Sequence, residues 1–290
     1  MIGLVRTLRP HQWVKNVFVA APLVFARHLE DPSYVVREAI AVLAFCLLSG
    51  AVYAFNDVRD ALADRAHPTK KHRPIASGQL SERTALIASA TLAVIALGAC
   101  LALRWQLAVI AGIYLAQNVA YSVRLKHVAF IDVALIASGF LLRVLAGAAA
   151  IDVPASGWLL ACTALLATLL ALGKRAHELS WAAQSGSTTT TRAALAGYKL
   201  PAVRGAMLVL GFVTCGAYVL YALDSHTVAT FGTNRLVWSA PFVAIGIVRF
   251  LYLALWYPKD EPPTEAMLRD PIFLLDLVAA TATVLYIIYG

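Results

Sequence analysis

Charge is scarce in this sequence. Only 14% of its 290 residues are Asp, Glu, Lys or Arg, against about 25% in an average soluble domain. Residues of the AVILMFWYC set make up 60% and the mean hydropathy is +0.73, so a water-soluble fold would strand much of its apolar surface in solvent. Low charge with high apolar content excludes disorder, and 17 glycines and 12 prolines scattered along the chain exclude collagen-like or Pro/Gly low-complexity structure. Cysteine is sparse as well. Cys46, Cys100, Cys162 and Cys215 lie inside apolar runs without CxxC spacing or a histidine partner, and read as packing residues rather than zinc ligands or a disulfide framework. Nor does the start read as a secretory signal: the short apolar stretch from Val17 to Phe25 contains Pro22 and runs into Arg27-His28-Leu29-Glu30 instead of a small-residue cleavage site. What is left is an integral membrane protein.

A bilayer core needs about 20 apolar residues per helix. Nine runs meet or approach that length: 13–28, 35–57, 84–103, 106–123, 129–150, 157–174, 203–223, 236–256 and 271–289. They predict an all-α polytopic bundle of nine transmembrane helices, one integral membrane domain over residues 1–290. The first run is the weakest, since it carries Lys15, Asn16 and Pro22. Breakers separate the runs at Asp31-Pro32, at Asp152-Val153-Pro154 and from Pro258 to Pro263, and the tract from Ser185 to Thr191 reads as a loose loop. The net charge of +8 comes from basic residues in short loops, which signals topology and contact with anionic membrane lipid rather than nucleic acid. Eighteen Lys and Arg fall at the N-terminus and in the loops after the second, fourth, sixth and eighth runs. Four (Arg27, Arg37, Arg104 and Arg235) fall on the other side. The N-terminus and the long polar loops are therefore expected in the cytoplasm, with Gly290 outside.

The second run ends in Asn56-Asp57-Val58-Arg59-Asp60-Ala61-Leu62-Ala63-Asp64-Arg65. At about 100° per residue, Asp60 lies about 60°, Tyr53 about 40° and Asp64 about 20° from Asp57 on the same side, with Arg59 nearly opposite. Three carboxylates on one helical face repel unless a cation sits among them. At a membrane surface a hard divalent ion with oxygen ligands, holding substrate phosphates as well, answers that need. A solvated helix end with scattered acids is the plainer alternative, and Arg59 and Arg65 permit it. Downstream, His67-Pro68-Thr69-Lys70-Lys71-His72-Arg73-Pro74 and Gly78 form a loop that presents cations beside the acids. Alone it would be a topology signal; next to a carboxylate face, metal plus Lys and Arg is what a diphosphate requires.

Asn56-Asp57-x-x-Asp60-x-x-x-Asp64 resembles the first aspartate-rich motif, NDxxDxxxD, of the UbiA superfamily of intramembrane prenyltransferases, as does the nine-span pattern. Within it, Arg9-Pro10-His11-Gln12-Trp13-Val14-Lys15-Asn16, the motif with His67-Pro68-Thr69-Lys70 and Arg73-Pro74, and Gly173-Lys174-Arg175 resemble one branch, the decaprenyl-phosphate phosphoribosyltransferases. The likeness implies transfer of 5-phosphoribosyl from phosphoribosyl diphosphate to a polyprenyl (decaprenyl) phosphate, giving the lipid-linked pentose precursor of cell-wall arabinan, at the plasma membrane with the site facing the cytoplasm. It implies Mg²⁺ on Asn56, Asp57, Asp60 and Asp64, with Asp57, Asp60, Asp64 and Lys174 catalytic. It implies substrate contacts from Gln12, Lys15, Asn16, Tyr53, Lys70, Arg73, Tyr121, Lys126, Arg143, Arg175 and Glu178. Where aromatic-prenylating members carry a second motif, DxxxD, this chain reads Gly173-Lys174-Arg175-Ala176-His177-Glu178. One acid and two cations there suit further phosphate rather than a second metal site, although Lys174 and Glu178 also have i,i+4 ion-pair spacing.

Charges within the spans are weaker pointers. Asp132 and Arg143 share a helical face about 16 Å apart along the axis, so they line one side without touching. Either binds ligand or pairs between helices, and Arg249 reads as a structural pair. Two other functions stay open: a prenyltransferase moving an isoprenoid from its diphosphate to a small acceptor, and a transporter. The gathering of polar residues at one membrane face, without an inverted repeat, argues against transport. The small-residue run Ala146-Gly147-Ala148-Ala149-Ala150 is compatible with a homo-oligomer.

Overall fold

A computed structural model describes residues 2–66, 69–185, 193–256 and 262–290. These residues form helices and no strands, and divide into two compact units, Met1–Ala155 and Ser156–Gly290. Eight helical stretches are long and apolar enough to cross a membrane: α1 (Pro32–Arg59), α2 (Glu82–Leu103), α3 (Trp105–Val123) and α4 (Ile131–Ile151) in the first unit, and α5 (Gly157–Ser185), α6 (Leu200–Leu223), α7 (Ala240–Leu255, with the tight turn Arg235–Ser239 that leads into it) and α8 (Pro271–Tyr289) in the second. They match eight of the nine expected runs. His67, Pro68, most of the Ser185–Thr191 tract, Arg192 and the stretch 257–261 lie outside the described residues.

The first run, 13–28, is the exception. It is no single helix but part of a broken segment: Ile2–Leu8, a tight helix at Pro10–Phe18, and Ala21–Phe25. Proline removes a backbone donor and crowds the preceding turn. Pro10 and Pro22 stand at the two restarts, and Arg9 turns the chain in a left-handed conformation, φ 51°. The segment nevertheless runs antiparallel to α1: Arg9 reaches Asp57 near one end, Asn16 meets Cys46 and Ser49 midway, and the His28 ring stacks on Tyr34 at the other end, centroids 4.0 Å apart.

Helix ends follow local chemistry. Asp31 caps α1 by accepting from the Ser33 amide, with Pro32 at the first helical position; hydrogen bonding from Ser33 holds the Asp31 carboxyl below the ordinary carboxylate range. Ser81 caps α2 through the Thr84 amide, and Asp270 caps α8 through the Phe273 amide. In the first unit α1 packs on α2, α3 and α4 around a core of Phe45, Leu48, Leu107, Tyr114 and Ile151. Gly147 makes one approach possible: a Cβ there would lie 1.8 Å from the Val19 carbonyl oxygen. Ala146, Gly147, Ala148 and Ala150 are buried inside this unit, so that small-residue run serves internal packing and is no exposed face for a second copy. In the second unit α5, α6 and α7 pack together and α8 lies on α7.

Candidate active site

The acidic face forms where α1 stops. α1 ends at Arg59, Asp60 is its cap residue, and a short helix, Ala61–Ala66, resumes at once, with the Asp64 amide bonded to the Asp60 carbonyl. Near-continuous helical geometry keeps the expected face: Asp57 and Asp64 are buried, Tyr53, Asn56 and Asp60 are half-buried, and Arg59 is exposed on the far side.

Every carboxylate of the motif has a cationic partner. Arg73 Nη1 donates to Asp57 Oδ1 at 3.1 Å and to Asp64 Oδ2 at 2.7 Å. One nitrogen in contact with both oxygens holds them no more than about 6 Å apart. Arg9 Nη2 donates to the same Asp57 oxygen at 2.5 Å while its guanidinium lies over the Tyr53 ring, 5.2 Å from the centroid. Asp60 turns the other way: Lys126, buried in the tight turn Leu125–His127 that follows α3, pairs with its Oδ1, and the Asn56 amide donates to its Oδ2 at 3.1 Å. Burial makes such pairs consequential, because a carboxylate withdrawn from water without a partner is costly.

A second polar knot lies deeper. Arg143 Nε donates to Asn16 Oδ1 at 2.8 Å, Nη1 to the Gly139 carbonyl at 2.9 Å and Nη2 to the Tyr114 hydroxyl at 2.8 Å. Ser49 donates to Asn16 at 3.3 Å, and the guanidinium faces the Tyr114 and Phe140 rings. Ser49 precedes Asp57 by eight residues, about 12 Å along α1. The structure thus separates Arg143 and Asn16 from the carboxylates. Arg143 does not reach Asp132, whose carboxylate accepts from its neighbour's amide, Val133.

The model of the UbiA prenyltransferase family matches residues 17–277. The chain belongs to the UbiA prenyltransferase family. A curated decaprenyl-phosphate phosphoribosyltransferase of Mycolicibacterium smegmatis is 33% identical over 300 residues, covering 99% of this chain and 92% of that one. A protein of the same name from Mycobacterium tuberculosis is 34% identical over 292 residues, covering 97% and 93%. Among solved structures, a UbiA homologue from Archaeoglobus fulgidus bound to GPP and Mg²⁺ superposes with a TM-score of 0.72 at 14% identity, covering 98% of each chain; that likeness carries the fold.

For a UbiA family member the question is whether these residues suit a divalent ion. Among the described residues no three His, Cys, Asp or Glu side chains are gathered closely enough to hold one. The donor chemistry fits all the same: carboxylate and amide oxygens suit a hard cation, and Asp57 and Asp64 already converge on a single positively charged nitrogen. Of the other expected residues, Gln12 is buried and Lys15 half-buried in the broken first segment, Lys70 is exposed, and Tyr121 is half-buried in the last turn of α3. In the second unit Glu178 pairs with Arg175, which is fully buried. Arg249 forms a two-pronged pair with Asp270, at 2.9 and 2.7 Å, as the sequence suggested. Sequence reasoning missed Arg9. It opens the Arg9–Asn16 segment that carries the family resemblance, but is not among the expected site residues, because neither that segment nor the neighbouring Pro10 says where the side chain goes.

Proposed function

We propose that this UbiA family member is a phosphoribosyltransferase: it transfers 5-phosphoribosyl from phosphoribosyl diphosphate to a polyprenyl (decaprenyl) phosphate and releases diphosphate. What carries the reading is the convergence of Asp57 and Asp64 on Arg73, with Arg9 alongside, in a chain alike over nearly its whole length to the curated enzymes of that name. Mg²⁺ on Asn56, Asp57, Asp60 and Asp64 would orient the diphosphate and neutralise charge as it departs. Arg73, Lys70 and Lys15 hold phosphate oxygens, Lys126 neutralises charge beside Asp60, and Lys174 and Arg175 are the second unit's candidates for phosphate. Tyr53 packs beside the acids. The acceptor oxygen, already ionised at neutral pH, attacks C1 of the sugar; that carbon develops oxocarbenium character as the bond to diphosphate breaks, so neither a protein nucleophile nor a strong general base is required. Arg143 and Asn16, on this reading, anchor the first segment rather than touch the sugar. The site would face the cytoplasm, where phosphoribosyl diphosphate is dissolved, and the lipid would enter from the plasma membrane.

Membranes containing the protein, supplied with sugar-labelled phosphoribosyl diphosphate and decaprenyl phosphate, should move label into the organic phase, and EDTA or Asp57→Asn should abolish the transfer. Label that stays in water while a prenyl diphosphate is consumed would replace this activity with isoprenoid transfer.

A further inference from the structure

We infer that the acidic face neutralises itself when empty: Arg9, Arg73 and Lys126 are counter-ions that the carboxylates give up to the diphosphate, so that divalent cation and diphosphate bind as a unit. The inference rests on the reading above, in which Asp57, Asp60 and Asp64 hold a divalent ion.

Three carboxylates meet three cations, and each cation comes from a different piece of chain: Arg9 from the turn before Pro10, Arg73 from the loop after α1, Lys126 from the tight turn after α3. A face with no net charge exerts little pull on a lone cation. Arg73 Nη1 occupies the space between Asp57 Oδ1 and Asp64 Oδ2, on two of the carboxylates that would hold an ion. An arriving cation must therefore displace a guanidinium from two buried carboxylates, and water at its exposed quarter is the weaker replacement for two charged partners. A diphosphate supplies a charged receiver, because its oxygens accept the two-pronged bonds that Arg makes best.

The build of Arg9 supports a designed role. It holds φ 51°, a left-handed conformation that costs an L-residue about 1–2 kcal/mol. The following proline further restricts its backbone. Arg27, Phe130 and Asp152 also have positive φ; what sets Arg9 apart is that its turn aims the guanidinium over Tyr53 onto Asp57. Arg9 is thereby held where it can pass from Asp57 to an arriving diphosphate.

The test is Mn²⁺ binding to the full chain in nanodiscs, read from the free-Mn²⁺ electron paramagnetic resonance signal, with and without inorganic diphosphate and corrected for their association in solution. Wild-type protein should bind Mn²⁺ at least about tenfold more tightly with diphosphate present. Arg9→Met and Lys126→Met should each tighten Mn²⁺ binding without diphosphate by roughly tenfold and shrink the coupling, whereas Arg9→Lys should behave as wild type. Equal Mn²⁺ affinity of the wild type with and without diphosphate overturns the inference, whatever the variants do; so does a folded Arg9→Met that binds Mn²⁺ alone no better. Asp57→Asn separates the two levels. If it loses Mn²⁺ in both conditions while the wild type lacks coupling, only the counter-ion exchange is wrong; if it binds Mn²⁺ unchanged, the underlying assignment of the carboxylates is wrong.

Discussion

Replacing Arg73 with methionine should destabilise the protein by about 3 kcal/mol in the absence of divalent ions. Arg73 is the cation that Asp64 touches among the described residues, and Asp64 is only 4% exposed. Asp57 keeps Arg9, but its carboxylate then faces an unneutralised neighbour no more than about 6 Å away; at an effective dielectric of 20 the repulsion is about 3 kcal/mol. Breaking a buried ion pair typically costs about 3–5 kcal/mol. Arg73 itself is a quarter exposed, so water screens part of the effect and the lower end applies. Reversible unfolding in mixed micelles at increasing SDS fraction, with EDTA present, measures the change. Two controls follow from the same geometry: Asp64→Asn in the Arg73→Met background should recover most of the loss, and millimolar Mg²⁺ should recover part of it. An Arg73→Met protein that unfolds with the wild type, or a double variant no more stable than the single, would refute the electrostatic account.

Gly147→Ala should cost about 3 kcal/mol or more in the same assay, because its Cβ would meet the Val19 backbone, carbonyl oxygen at 1.8 Å and carbon at 2.9 Å, and backbone cannot step aside as a side chain can. Gly173→Ala, whose Cβ would meet the Phe250 ring, should cost less. Arg249→Met should lower stability by about 1–3 kcal/mol through loss of the pair that also steadies the Asp270 cap, while transfer activity per folded molecule stays at the wild-type rate.

The broken first segment shows where local pattern loses to packing. Residues 13–28 are apolar enough to suggest a span, and Lys15, Asn16 and Pro22 were visible as flaws. What those flaws become depends on partners far along the chain: Asn16 bridges Arg143 and Ser49, and the bend after Val19 is accommodated only because residue 147 lacks a Cβ. Lys126 gave the same kind of signal as any lysine in a loop between spans, and nothing at positions 125–127 says that it meets Asp60, 66 residues away.

Sequence by itself determined the membrane environment, eight of the helices and the sharing of one face by Tyr53, Asp57, Asp60 and Asp64. Hydrophobic length and the 100° advance of a helix are local quantities and need no fold to express them. Only the tertiary structure decided which cation meets which carboxylate. Arg9, Arg73 and Lys126 are brought to the acids by a left-handed turn, a loop and the tight turn after α3, and ion pairs between distant segments depend on distances that no spacing along a chain encodes.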